Sequence, residues 1–102
     1  DPDLALALPA RATEIEAGMK AYEQGDYPAA IDKFTAAQLD DPERPEILYN
    51  LGNAFYKKGD YDTAETHLRE ALSRADQALK SKIHYNLGIN TFAVHTDEFI
   101  IS

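Results

Sequence analysis

Catalysis needs a nucleophile, an acid–base pair or a set of metal ligands brought together, and the first candidates here are His67, His84 and His95. They fall on different predicted helices or in the tail, with no HExxH or comparable spacing between them. His67 reads as outward-facing, His84 as near a repeat junction, and His95 as part of an irregular tail. The sequence has no cysteine, which removes disulfides, thiolate nucleophiles and cysteine metal sites together. All five glycines are accounted for by turns or close helix packing, so none is left for a phosphate-cradling loop. No enzymatic activity, metal or cofactor is expected. Amides and tyrosines form the other chemically capable set. Asn50, Asn53 and Asn86 each present a donor and an acceptor, which suits the main chain of an extended peptide. The tyrosines supply apolar area with a polar tip.

Helices must position these groups, and they are read from apolar spacing and the breaks between runs. GDY stands at Gly25–Tyr27 and again 34 residues later at Gly59–Tyr61, and YNLG stands at Tyr49–Gly52 and again at Tyr85–Gly88. A chain repeating at this period is read first as an array. The first helix is predicted from about Ala12 to Gln24, ending at Gly25, where a left-handed cap suits glycine. Asp26 caps the second, with Pro28 tolerated in its first turn, and Asp40-Asp41-Pro42 ends it. Pro45 opens a third helix carrying Leu48, Leu51, Phe55 and Tyr56 and closing at Gly59. Asp60 caps the fourth, with Ala64, Leu68 and Ala71. A looser stretch over 73–77 leads to a fifth helix holding Ile83, Leu87 and Phe92, and the pattern is lost after about Ala93.

Length allows one domain with a modest core. Apolar residues at 44% and charged residues at 27% describe a chain that folds. The net charge of −8 is uneven: residues 1–44 hold ten acids against four bases, 45–78 six against four, and 79–102 two against two. Phosphate backbones and anionic lipid are repelled by such a chain, whereas a basic protein segment is welcome. No run approaches the roughly 18 apolar residues of a membrane span, and DPDLALALPARA lacks the pattern of a secretory signal. The chain reads as soluble, cytoplasmic or periplasmic. An opening at Asp1 rather than methionine reads as that of a cut or processed chain, from which a signal or anchor can have been removed.

The repeated residues resemble the tetratricopeptide repeat family, in a bacterial-type form. Repeat one spans 11–44, with Gly18, Gly25, Tyr27, Ala30, Phe34, Ala37 and Pro42 at the signature positions. Repeat two spans 45–78, with Leu51-Gly52, Phe55, Gly59, Tyr61, Ala64, Leu68 and Ala71. A partial third unit, 81–93, supplies Leu87-Gly88 after a step of 36 residues and then departs from the pattern. Residues 1–10 form an N-terminal extension and 94–102 an irregular tail. The resemblance covers roughly 80 of the 102 residues. It implies an all-α, right-handed superhelical stack of antiparallel helix pairs, about two and a half repeats in five helices. Gly18, Gly52 and Gly88 are then notches where two helix axes approach, filled by large residues such as Phe34 and Leu68.

In such a stack the first helix of each pair lines a concave surface. The candidate groove residues are Ile15, Met19 and Tyr22, then Tyr49, Asn50, Asn53, Tyr56 and Lys57, then Lys82, Tyr85, Asn86 and Ile89. The function implied is a scaffold binding a polypeptide segment in the groove. The amides read equally well as bonding within the superhelix, and Tyr49, Tyr56 and Tyr85 also read as half-buried packing residues. Some family members grip acidic chaperone tails through a clamp of lysines, arginine and asparagines. Asn50 and Lys82 fall on two clamp positions, but Ile15, Met19 and Asn86 depart from it, so an apolar or basic segment is the expected partner. The alternative is a self-assembly module using the open C-terminal end and tail. Phe99, Ile100 and Ile101 would then cover the end near Leu87 and Phe92, on the same molecule or on a second one as a homodimer.

Overall fold

The structure, a computed structural model, describes residues 10–101, and the side-chain surroundings of residues 13–96. These residues form five helices and no strand: α1 Ala10–Glu23, α2 Tyr27–Asp40, α3 Pro45–Lys58, α4 Tyr61–Leu72 and α5 Gln77–Ile101. Local chemistry sets the boundaries. Gly25 (φ 79°) and Gly59 (φ 93°) take the left-handed conformation that ends α1 and α3. Behind each, an aspartate turns the chain back into helix: the amide of Asp26 donates to the carbonyl of Ala21, and that of Asp60 to Phe55, both at 2.9 Å. Asp26 Oδ1 then accepts from the Ala29 amide at 3.2 Å and Asp60 Oδ1 from Thr63 at 3.3 Å. Asp76 caps α5 in the same way through Leu79, at 2.9 Å.

Each helix packs on the next in sequence, and α3 is the shared wall. One of its faces, Ile47, Leu51 and Ala54, joins Ala30, Phe34 and Ala37 of α2; Leu48 on another face joins Leu68, Ala71, Ile83 and Leu87. The small residues let the axes close. A methyl group placed on Gly18 would stand 2.5 Å from Phe34 Cε1, and one on Gly52 would stand 2.7 Å from Leu68 Cδ2.

Three expectations need correction. Gly88 is exposed, with nothing within 4 Å of where its Cβ would lie, so this notch is unfilled. The irregular tail over 94–102 is instead the last two turns of α5, which runs to Ile101. At the turn position of Gly25 and Gly59 this unit carries His95, and no glycine or proline between Val94 and Ile101 stops the helix. The chain therefore does not double back there; the side chains of Phe99, Ile100 and Ile101 lie outside the described residues. Third, His67 is half-buried rather than outward-facing: its ring stacks on Phe55 at 5.2 Å, and Nδ1 lies 2.9 Å from the Thr63 carbonyl.

Candidate peptide-binding groove

The first helices α1, α3 and α5 stand side by side, and their concave faces enclose two adjoining cavities. One, of about 270 Å³, is lined by Met19, Tyr22, Glu23, Phe34, Asn50 and Asn53. The other, of about 320 Å³, is lined by Tyr22, Tyr49, Asn53, Tyr56, Lys57, Asn86 and Ile89. Tyr22 and Asn53 belong to both, so the two are compartments of one trough crossing all three helices.

Nine of the twelve expected groove residues line this trough, and three do not. Ile15 packs inward against the first core cluster. Lys82 is exposed away from both cavities, and Tyr85, 71% exposed, points off the far side of α5.

The amides divide between internal and external roles. Asn86 Nδ2 donates to Asn53 Oδ1 at 2.6 Å and to the Tyr49 hydroxyl at 3.1 Å, bridging two repeats across the trough floor. This engages the carbonyl end of Asn53 and the amino end of Asn86. The opposite end of each, and all of Asn50, make no hydrogen bond among the described residues. The reading of the amides as internal braces is thus half right: two of them bond together and still offer one donor and one acceptor outward.

The walls are tyrosines held by a pairing that recurs with the repeat. Tyr22 meets Tyr27 edge-on at 5.4 Å, and Tyr56 meets Tyr61 at 5.6 Å. In each pair a last-turn ring rests on the tyrosine of the following GDY turn. Burial, then the neighbouring Tyr27 and Tyr49, raise the pKa of the Tyr22 phenol above its ordinary value. Tyr22 therefore stays neutral near pH 7, with a hydroxyl that can donate. Charge differs between the compartments: Glu23 stands in the first and Lys57 in the second.

Asn90 was not anticipated. It is fully buried on the core side of α5, where Nδ2 donates to the Tyr61 carbonyl at 3.0 Å and Oδ1 has no partner. Its only sequence sign is a place in the buried stripe of Ile83 and Leu87. No group of three or more His, Cys, Asp or Glu that could hold a metal ion occurs among the described residues, and no helix among them is long and apolar enough to cross a membrane.

The tetratricopeptide repeat profile matches residues 15–80, well over half of the sequence. The chain belongs to this family. Among curated proteins it is similar to human intraflagellar transport protein 70B, 36% identical over 61 residues, which is 60% of this chain and 9% of that protein. It is also similar to the bovine protein of the same name, 30% identical over 84 residues, which is 82% of this chain and 12% of that one. The chain thus spans about a tenth of the length of these relatives. Among solved structures it resembles the first TPR of Spaghetti (RPAP3) bound to the HSP90 peptide SRMEEVD, with a TM-score of 0.75 and 26% identity. That match covers 86% of this chain and 70% of the other. The all-α repeat stack expected from the sequence is therefore the fold of this tetratricopeptide repeat domain.

Proposed function

We propose that this tetratricopeptide repeat domain is a scaffold whose concave trough grips an extended polypeptide segment carrying apolar and basic side chains. The observation that carries the reading is the continuous trough whose floor holds unengaged amide groups, Asn50 above all. A segment lying across α1, α3 and α5 places an apolar side chain in the compartment of Met19, Tyr22 and Phe34. A basic neighbour then meets Glu23, and main-chain groups meet Asn50, the amino group of Asn53 and the carbonyl of Asn86. The structural neighbour binds an acidic chaperone peptide, which supports a peptide as the ligand class. Where the family resemblance places the clamp's lysine, asparagine and arginine, this chain has Ile15, Met19 and Asn86, and Glu23 stands in the first compartment, so an acidic tail is disfavoured.

Fluorescence titration tests this with two labelled peptides, one apolar and lysine-rich and the other SRMEEVD. The lysine-rich peptide should bind more tightly, and added salt should slow its association. Asn50→Ala, which breaks no internal bond, should weaken binding about fivefold, the equivalent of one hydrogen bond of about 1 kcal/mol, with no change in melting temperature. Tighter binding of SRMEEVD, or affinity indifferent to Asn50→Ala, would overturn the reading.

A further inference from the structure

We propose that the exposed face of α5 is a homodimer interface, in which two copies cross antiparallel about a two-fold axis and the Phe92 ring of each seats on Gly88 of the other. The chain shows twice what a glycine in this register receives. Gly18 takes the ring of Phe34 and Gly52 the side chain of Leu68. Gly88 stands in the second copy of YNLG, yet nothing approaches it. Tyr85 and Phe92, 71% and 72% exposed, flank it three residues before and four after, the spacing of neighbours along one helix face. These two aromatics beside a glycine hollow lie opposite the buried side made by Ile83, Leu87 and Asn90.

The hollow and the ring that could fill it are on the same helix, and this geometry points to a second copy. Gly88 and Phe92 are separated by about 6 Å along the axis, four residues at about 1.5 Å each. A two-fold axis passing midway between them brings each glycine opposite the other molecule's phenylalanine, so one contact is made twice, as an isologous interface requires. The glycines let the two axes approach as closely as α1–α2 and α3–α4 do within the chain. Charge agrees. Residues 1–44 carry ten acids against four bases, so pairing through the first repeat would set −6 against −6; residues 79–102 are balanced, two against two. The first repeat sits at the opposite end of the stack, with α3 and α4 between, well beyond the ~8–10 Å over which charge is felt at physiological salt. The groove opens on the side of Asn86 and Ile89, so dimerisation and peptide binding use different faces of α5 and fail independently.

Sedimentation equilibrium of the full chain, from micromolar to near-millimolar concentration, tests the proposal. The mass should rise from 11.3 kDa toward twice that value. Gly88→Leu fills a hollow that is empty in the single molecule, so its helical circular dichroism and cooperative melting should persist while its mass stays at 11.3 kDa throughout. Phe92→Ala should have the same effect from the other side of the contact. A wild-type mass fixed at 11.3 kDa at every concentration would overturn the proposal. Self-association that survives both substitutions would overturn it as well.

Discussion

Gly52 and Gly88 close identical tetrapeptides on first helices of the same array, yet one is among the tightest points of the molecule and the other is open to solvent. Gly52 lies against Leu68 and the Ala64 carbonyl; Gly88 lies against nothing. The difference originates seven residues downstream. After Gly52 comes Gly59, whose left-handed conformation turns the chain so that α4 returns over α3; after Gly88 comes His95, and α5 runs straight on to Ile101. A notch is therefore not a property of the glycine alone. It needs a breaker about two turns further along the helix to deliver the side chain that fills it.

The sharpest way to break the contrast is Gly52→Leu. The added side chain must enter space held by Leu68, and over-packing of this kind costs about 3 kcal/mol, which in a domain of this size lowers the melting temperature by roughly 12–24 °C. Adding Leu68→Ala should restore part of the loss, because the two side chains compete for one volume. Thermal melts of the single and double variants measure this coupling. A Gly52→Leu protein melting within a few degrees of wild type would show that the notch is not closed.

The second test compares the two sides of α5. Asn90→Asp sets a carboxylate against the Tyr61 carbonyl in a fully buried site, a loss of about 2 kcal/mol at pH 7. Burial favours the protonated acid, which can donate to that carbonyl, so the folded pKa is raised above the unfolded one. The stabilising protonation is present below the unfolded value of about 4 and lost as pH rises. The gap to wild type should thus narrow on acidification to pH 4. Phe92→Asp, two residues on but exposed in the single molecule, should shift stability by under about 0.5 kcal/mol when read at low micromolar concentration. Equal losses from the two would mean that α5 has no free face.

The same contrast explains what the sequence disclosed. Four helix ends are legible in Gly25-Asp26 and Gly59-Asp60, because a left-handed residue followed by a capping carboxylate is a local device that neighbours do not override. The groove residues on α3 follow, since they count back from Gly59 by helical turns. Misplacements occur on the first and last described helices, α1 and α5. Ile15 falls in the groove register, but its side chain packs against the first core cluster of Ala30, Phe34, Ala37, Ile47, Leu51 and Ala54. Tyr85 shares the YNLG register of Tyr49, but Tyr49 packs against the second core cluster and its hydroxyl accepts from Asn86 of the following unit, and no described helix follows α5 to do the same for Tyr85. Asn90 was hidden for a different reason. A polar residue in an apolar stripe reads as a surface position until its carbonyl partner, 29 residues away, is seen.

The smallest expected effect separates the two glycines most directly, because it should have opposite signs. Glycine within a helix is less favourable than alanine by about 1 kcal/mol. At Gly88 the new methyl meets nothing within 4 Å, so Gly88→Ala should collect that gain and raise the melting temperature by roughly 4–8 °C. The melt is read at low micromolar concentration, where the single molecule dominates. At Gly52 the methyl would stand 2.7 Å from Leu68 Cδ2 and 3.3 Å from the Ala64 carbonyl oxygen. Leu68 can rotate, but it is fully buried, and the carbonyl belongs to a helix that cannot shift without parting the pair. Gly52→Ala should therefore lose more in packing than it gains in propensity and lower the melting temperature. If both substitutions stabilise, Leu68 yields and the Gly52 contact is slack; if both destabilise, Gly88 meets a neighbour after all, and the open face of α5 is already covered at that concentration.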